Sequence, residues 1–238
     1  TNFRELLFYY RKKFKQLHRF KRIAMLQEQT IPKETFRLLK ALIQDKELNN
    51  FHLAGGTAIA LYLGHRKSID LDLFSLNDFD NNQLEEHLFE KYNFTTDYKR
   101  NNTLKGSIEG VKVDCITLKT KLCEDVQLIE SVRLYDLKDI VAMKLLAIAD
   151  NRTRLKDFID IAYLSTRFSL NEMVSFASYK FPNKNPIIFT KGLLYYNDID
   201  FSTPIVMLNA NYDWKKIEGR INEMAKEPEK VFDKAPLN

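Results

Sequence analysis

Two aspartates separated by one residue, Asp70 and Asp72, lie in an apolar run where they alternate with aliphatic residues. A β-strand with this alternation places both carboxylates on one face. The two negative charges repel each other unless a cation lies between them. Mg²⁺ is such a cation in phosphate chemistry, because it is usually held by one or two carboxylates together with substrate phosphates. The pair therefore predicts a metal site, although an exposed strand face would explain an Asp-x-Asp sequence taken alone.

A glycine pair, Gly55 and Gly56, precedes this run and opens a short apolar helix that begins near Thr57. Glycines let backbone N–H groups approach an anion closely at a helix N-terminus. By itself a Gly-Gly sequence is usually only a turn. A phosphate-binding turn and a metal-binding strand within twenty residues together indicate nucleotidyl transfer.

Three blocks of the sequence resemble one protein family. Residues 55–74 are similar to the first motif of the AbiEii/AbiGii toxin family of nucleotidyltransferases, within the DNA polymerase β-like superfamily. Residues 139–164 resemble the helical motif of that family, and residues 193–208 resemble its C-terminal signature. The sequence departs from the family at residues 150–154, where Asp-Asn-Arg-Thr-Arg replaces a Gly-Arg-Gly-like turn.

The resemblance implies an α+β fold: a polymerase β-like nucleotidyltransferase core, with a mixed sheet flanked by helices, and a helical C-terminal region. We expect N-terminal helices and the core in residues 1–125 and a mainly helical domain in residues 126–238. The implied reaction is Mg²⁺-dependent transfer of NMP from an NTP to an acceptor hydroxyl, with one or two metal ions and release of pyrophosphate. The resemblance further implies a toxin paired with an antitoxin, with RNA, such as a tRNA 3′ end, as the acceptor.

The third carboxylate of such a site is expected on the strand at residues 111–117. Asp114 alternates there with apolar neighbours, so its side chain can join the Asp70 and Asp72 face if this strand lies beside theirs. The superfamily resemblance makes it the general base that accepts the proton of the attacking hydroxyl while also contacting metal. An aspartate on an exposed strand face is the alternative.

Basic residues near these motifs are candidates for phosphate binding. Lys144 lies among apolar residues, where either snorkelling or contact with the triphosphate would explain it. Arg152 and Arg154 are both plausible ligands, because a guanidinium matches phosphate oxygens. On a helix over these residues Lys156 reaches Asp160 at i, i+4, and a salt-bridged surface would explain Asp157 and Asp160. The resemblance instead makes Lys144 and Asp157 members of the active site and Asp160 a structural support. The candidate catalytic residues are Asp70, Asp72, Asp114, Lys144 and Asp157, the three metal ligands are Asp70, Asp72 and Asp114, and the nucleotide-binding residues are Gly55, Gly56, Thr57, Arg66, Ser68 and Arg154.

Ser68 is included because a strand from residue 68 to residue 75 would place it on the face of Asp70 and Asp72. Its hydroxyl would then bind substrate phosphate or be modified itself. A serine that begins a strand and hydrogen-bonds to nearby backbone is the alternative.

The elements that position these residues follow from periodicity and turn residues. A helix opened by Pro32 is expected to run to about residue 45. The other predicted elements are a strand at 51–54, helices at 57–63 and 82–92, antiparallel strands at 94–99, 102–108 and 112–118, and helices from residue 136 onward except for an irregular stretch at 181–204.

Charge is concentrated at the N-terminus. The first 25 residues contain eight Lys and Arg residues and one Glu, whereas the whole chain has a net charge of +5. Aromatic residues are interleaved with this basic segment, a composition that suits binding of an RNA backbone with base stacking. An amphipathic helix with a solvated basic face is the alternative.

Composition places the chain among globular proteins. Hydrophobic residues make up 45% of it, and no apolar run approaches the ~20 residues that span a bilayer. The two cysteines show no metal-ligand spacing. We therefore expect a cytoplasmic enzyme that acts without a membrane partner.

Two other functions remain open at this stage. A small-molecule nucleotidyltransferase, such as an antibiotic-modifying enzyme, would need an acidic pocket for a cationic drug, whereas the local bias here is basic. A non-catalytic RNA-binding module would have no use for three carboxylates, which repel phosphate in the absence of metal.

Overall fold

The structure, a computed structural model, describes residues 25–237. In this part of the chain, seven strands form one sheet and eight α-helices surround it. The strands are β1 (Phe51–Leu53), β2 (Leu71–Ser75), β3 (Thr95–Arg100), β4 (Thr103–Ile108), β5 (Val111–Thr117), β6 (Gln127–Ile129) and β7 (Val132–Leu134). The helices are α1 (Lys33–Gln44), α2 (Gly55–Leu63), α3 (Asn81–Tyr92), α4 (Leu137–Asp150), α5 (Leu155–Leu164), α6 (Leu170–Lys180), α7 (Ile187–Leu193) and α8 (Trp214–Lys226).

The sheet has the strand order β3-β4-β5-β2-β1-β7-β6. Its central strand β2, which carries Asp72, is antiparallel to β1 and parallel to β5. In the register between β2 and β5, Asp72 lies directly beside Asp114. This mixed sheet flanked by helices confirms the predicted α+β class.

The three antiparallel strands predicted after α3 are confirmed as β3, β4 and β5. The turn between β4 and β5 contains Glu109 and Gly110, whose φ angles are 51° and 78°. Two successive residues with positive φ are typical of the two-residue hairpin turn that matches the strand twist. The predicted helices at the positions of α1, α2 and α3 are confirmed as well.

The strand predicted to begin at Ser68 begins only at Leu71, so Ser68 and Asp70 precede it. The backbone of this segment makes hydrogen bonds outside the sheet. The N–H of Ser68 donates to the carbonyl oxygen of Thr30 at 2.9 Å. The hydroxyl of Thr57 donates to the carbonyl oxygen of Asp70. The alternation of residue types therefore extends beyond the strand itself.

Three further elements were not predicted. The strands β6 and β7 have three residues each, which is too short for an alternation to be recognised. Helix α7 lies within the stretch predicted to be irregular, and its Gly192 packs closely against Ala149 of α4. Because β7 pairs with β1, the sheet contains strands from both sides of residue 125; the division into two domains stays a prediction.

Helix α4 runs through the core and packs against α2, α5, α6 and α7. It begins at the cap residue Asp136, whose carboxylate accepts a hydrogen bond from the N–H of Lys138 at 2.9 Å. Helix α5 is buried along most of its length, including Asp157 and Asp160. These two helices therefore bring charged side chains into the interior beside the sheet.

Among residues 25–237, no helix is both long and apolar enough to cross a membrane. The basic segment whose RNA binding was considered above falls almost entirely before residue 25. It lies outside the described residues, and its role stays a prediction.

Candidate active site

The turn from β1 into α2 is built around Gly55. This glycine has a φ of +67°, and a Cβ added to it would overlap the carboxylate oxygen Oδ2 of Asp72. The N–H of Ala54 donates to the carbonyl oxygen of Asp72 at 2.9 Å, which fixes the turn against β2. At the next position, a Cβ on Gly56 would lie 2.7 Å from Nη2 of Arg66. Because the two glycines have no side chains, the carboxylate of Asp72 and the guanidinium of Arg66 lie close against the first turn of the helix.

We expect the change Gly55→Ala to abolish nucleotide binding, because the added methyl group displaces the Asp72 carboxylate. Gly110→Ala is a matched control: Gly110 also has a positive φ, of 78°, but a Cβ there meets no atom within 4 Å. Both variants should lose about 1–2 kcal/mol of stability from the left-handed backbone, and Gly55→Ala should lose more because its Cβ overlaps Asp72. Only Gly55→Ala should lose binding as measured by calorimetry, and equal binding in the two variants would contradict this role for Gly55.

Asp70 and Asp72 line one cavity of about 230 Å³ at the N-terminus of α2. Of the other candidate residues, this cavity also contains Gly56, Thr57, Arg66, Ser68, Lys144, Arg154 and Asp157. Asp114 lies beside Asp72 on β5, and its carboxylate forms an ion pair with Lys105 at 2.9 Å. The structure therefore brings Asp70 and Asp72 into one cavity and places Asp114 on the adjoining strand.

The charge of Asp72 is disfavoured by its surroundings. Burial raises the pKa of this carboxyl to about 6, and the negative charges of Asp114 and Asp70 raise it too, whereas Lys144 and Arg154 lower it. Within residues 25–237, no three His, Cys, Asp or Glu side chains are grouped so as to hold a metal ion. A divalent cation would nevertheless relieve the repulsion between these carboxylates, and oxygen ligands are those that Mg²⁺ prefers. The donor set therefore fits the predicted metal.

Asp160 is the centre of a buried ionic network. It accepts hydrogen bonds from Nε and Nη2 of Arg66 at 2.7 and 2.8 Å, and its carboxylate is 3.0 Å from Nζ of Lys144. The ring of His65 donates to the same carboxylate through Nε2 at 2.9 Å. Burial would raise the pKa of Asp160, but Arg66 and Lys144 hold it well below its usual value. Asp160 thus lies among buried basic groups, and its assignment as a structural support stays a prediction.

His65 is buried, and burial lowers its pKa although the bond to Asp160 opposes this effect. The folded state therefore keeps the imidazole neutral at pH values where the unfolded chain, with a pKa near 6.5, already binds a proton. We expect the free energy of unfolding to fall as the pH drops below about 6.5, by up to about 1.4 kcal/mol per pH unit from this residue. Urea unfolding at a series of pH values would show a smaller slope in His65→Gln than in the wild type. An identical slope would contradict the prediction.

Lys144 and Asp157 form a second buried pair. The ammonium group of Lys144 donates to Oδ1 of Asp157, while Oδ2 of Asp157 is buried without a hydrogen-bond partner among the described residues. Arg154 extends over this carboxylate, with its Nε 3.6 Å from Oδ2. Lys144, Arg154 and Asp157 all line the cavity, so charged groups of both signs face one another there.

The structure separates the two arginines that the sequence left open. The side chain of Arg154 is 62% exposed and reaches the cavity. Arg152 instead stacks on Tyr195, with its guanidinium carbon 5.1 Å from the ring centroid. Arg154 is therefore the arginine that is positioned to contact a ligand in the cavity.

Thr57 and Ser68 are hydrogen-bonded to each other, with 2.9 Å between their hydroxyl oxygens. Thr57 is buried, and its hydroxyl holds the segment before β2 against α2. Ser68 is next to the cavity, although it precedes β2 rather than sharing its face. Its proximity to Asp70 and Asp72 thus comes from the fold of the preceding loop.

Several cavity residues had no clear signal in the sequence. Lys156 was expected to pair with Asp160 along α5, but Asp160 is occupied by other partners and Lys156 lines the cavity instead. Pro204 and Val206 also line it, because the N–H of Lys67 donates to the carbonyl oxygen of Val206 at 2.8 Å. No local spacing predicts a contact between residues so far apart in sequence.

The fold is shared with solved structures that include a nucleotidyltransferase toxin. The structure of JHP933 from Helicobacter pylori is 17% identical and superposes with a TM-score of 0.51, with 84% of this chain and 93% of that chain covered. MenT4, the nucleotidyltransferase toxin Rv2826c from Mycobacterium tuberculosis H37Rv, is 12% identical with a TM-score of 0.52, and the coverage is 81% and 80%. These identities support a common fold.

Similarity in sequence identifies the family of this protein more specifically than similarity in fold does. An uncharacterised protein of Aquifex aeolicus (strain VF5) is 28% identical over 174 residues, which are 71% of this chain and 84% of the relative. The family described as "Nucleotidyl transferase AbiEii toxin, Type IV TA system" matches residues 37–119 and 112–233. These matches cover most of the chain and include every residue of the cavity, so the protein belongs to the AbiEii family of nucleotidyltransferase toxins.

Proposed function

We propose that this nucleotidyltransferase moves NMP from an NTP to the 3′ end of an RNA, in a reaction that needs Mg²⁺ and is controlled by a cognate antitoxin. The observation that carries the proposal is the cavity in which Asp70 and Asp72 face Lys144 and Arg154 at the N-terminus of α2. Carboxylates for a metal and cations for phosphates within one cavity suit a substrate that is a metal–triphosphate complex. A cytoplasmic reaction follows from the proposed substrates.

Asp70 and Asp72 would hold the metal, with Asp114 of the adjoining strand as the third carboxylate. Bound there, Mg²⁺ would supply neutralisation of phosphate charge and Lewis-acid activation of the phosphoryl group. Asp72 is the residue most affected by such a cation, since its carboxylate is buried and close to other negative charges.

The triphosphate would be bound by the first turn of α2 and by the basic side chains of the cavity. Gly55, Gly56 and Thr57 provide backbone N–H groups of the kind that a helix N-terminus leaves without intrahelical acceptors. Arg154 has the exposed guanidinium and Lys144 the buried ammonium group. Together these groups would fix the phosphate chain and keep its charge balanced during transfer.

Asp114 would accept the proton of the attacking hydroxyl. As the hydroxyl oxygen forms its bond to the α-phosphorus, the bond from that phosphorus to the bridging oxygen of the β-phosphate breaks and pyrophosphate leaves. Lys105, whose ammonium group lies 2.9 Å from the Asp114 carboxylate, would hold this carboxylate in position until the acceptor arrives.

The basic side chains of the cavity support RNA as the acceptor. Lys67 and Lys156 line it together with Arg154, so its lining has more basic than acidic side chains. A cationic drug would be repelled by these groups, whereas an RNA backbone would be attracted. The same contrast disfavours a small-molecule transferase, and the family membership disfavours a non-catalytic module.

Incubation with each labelled NTP, Mg²⁺ and total RNA tests the proposal. We expect label in a discrete RNA fraction, at the 3′ end, and its loss when EDTA is added or when Asp72→Asn replaces the wild type. Label that enters only protein or small molecules would overturn the RNA acceptor, and transfer that persists in EDTA would overturn the metal requirement.

A further inference from the structure

A second, smaller cavity adjoins the first and shares five residues with it. Both are lined by Gly56, Asp72, Lys144, Arg154 and Asp157. The residues that only one of the two cavities contains differ in polarity. The larger cavity adds mainly polar and basic groups, whereas the smaller one adds Gly55 and four apolar side chains, namely Phe74, Ile140, Met143 and Ala147.

The apolar lining has a simple structural origin. Phe74 follows Asp72 by two residues on β2, so both side chains lie on the same face of the strand. On α4, the residues Ile140, Met143 and Ala147 recur at helical spacing and form one stripe with Lys144. The cavity lies between this strand face and this helix stripe.

We infer that the apolar cavity binds the nucleobase of the NTP, an inference that rests on the proposed function. A nucleotide has a charged polyphosphate and a flat, largely apolar base, and these two parts match the two linings. The α-phosphate, where transfer occurs, lies between the two parts of the nucleotide. The shared residues Asp72, Lys144 and Asp157 lie in the corresponding place, where the two cavities meet.

Size and chemistry agree with this assignment. The smaller cavity has a volume of about 120 Å³, well below the ~300–1,000 Å³ of a pocket that holds a whole ligand. It therefore fits one part of a nucleotide. Phe74 offers an aromatic face for stacking, which tolerates every base. Since the apolar side chains lack strong hydrogen-bonding groups, selection among NTPs would depend on base size.

Ala147→Leu tests the inference by adding bulk to the cavity. We expect the KM for NTP to rise roughly tenfold or more, because a mismatch of even one methylene group in an apolar pocket has an effect of about this size and leucine adds three carbon atoms. The rise should be larger for purine than for pyrimidine NTPs. Inorganic tripolyphosphate, tested with Mg²⁺ as a competitive inhibitor, should bind as well as it does to the wild type, because it needs only the polar cavity.

Phe74→Leu is the second variant, since it removes the stacking surface without adding bulk. It should raise the KM for NTP and leave inhibition by tripolyphosphate unchanged. Leu146→Met, on the same helix but outside both linings, controls for general effects on α4. Thermal unfolding of each variant verifies that it is folded.

Two outcomes would overturn the inference alone: an unchanged KM for NTP in both folded variants, or an increase confined to the KM for RNA, which would assign the cavity to the acceptor. Failure of the proposed function is distinguishable from these. It would be seen in the wild type itself, as absence of NMP transfer or absence of inhibition by tripolyphosphate.

Discussion

Asp72→Asn is expected to abolish nucleotide transfer while leaving the protein folded. Loss of a group that only supports a metal ligand costs about 10–100-fold in metal affinity or activity, so loss of a proposed ligand should exceed a hundredfold. Burial and neighbouring carboxylates disfavour the charged form of Asp72. The neutral asparagine should therefore make the metal-free protein at least as stable as the wild type.

Label transfer and denaturant unfolding of the same preparation measure these two effects. Asp97→Asn is a suitable control, because Asp97 is an exposed carboxylate on the edge strand β3. Asp70→Asn should behave like Asp72→Asn in transfer. Wild-type activity in either variant would refute the assignment of the metal site, and loss of stability in Asp72→Asn would refute the electrostatic argument.

The second large effect is expected at Asp160. Asp160→Asn removes the charge that neutralises Arg66 and Lys144, both of which are buried. Breaking a buried ion pair by removing one partner destabilises proteins by about 3–5 kcal/mol. The free energy of unfolding should fall by this amount at neutral pH. Because the pKa of Asp160 is lowered in the fold, the difference between variant and wild type should shrink as the pH falls below about 4, where the unfolded chain binds the proton first.

An exposed ion pair provides the comparison. Glu227→Ala breaks the pair with Lys230 on the surface, which should change stability by less than about 1 kcal/mol.

In a double-mutant cycle, Arg66→Gln combined with Asp160→Asn should be less destabilising than the sum of the single changes. Additive effects, or a loss below about 1 kcal/mol in Asp160→Asn, would show that the network contributes little.

The local pattern around Asp72 was sufficient to predict much of the site. Alternation gave the strand face, and the glycine pair gave the turn that contacts it. The prediction for Asp114 depended on one further condition, that β5 lies beside β2. The structure meets this condition, because the two strands pair with Asp114 directly beside Asp72. The same alternation misplaced Ser68 and Asp70, which precede β2, because hydrogen bonds from the Thr57 hydroxyl and to the Thr30 carbonyl oxygen fix the backbone before the strand begins.

Long-range pairings were not accessible from the sequence. Arg66 and Asp160 are 94 residues apart, and nothing local indicates that the guanidinium is neutralised by that carboxylate. For the same reason Lys156 was assigned a partner on its own helix, whereas tertiary contacts give Asp160 other partners. Helical spacing specifies which residues are neighbours on one helix, but it carries no information about what packs against them.

The hydrogen bonds between residues 65–67 and residues 206–208 have a consequence for the timing of synthesis. Lys67 and Val206 are joined through their backbones, as are His65 and Leu208. One wall of the cavity is therefore made of residues that are translated long after Asp70 and Asp72, and a nascent chain that ends before residue 204 has an incomplete site.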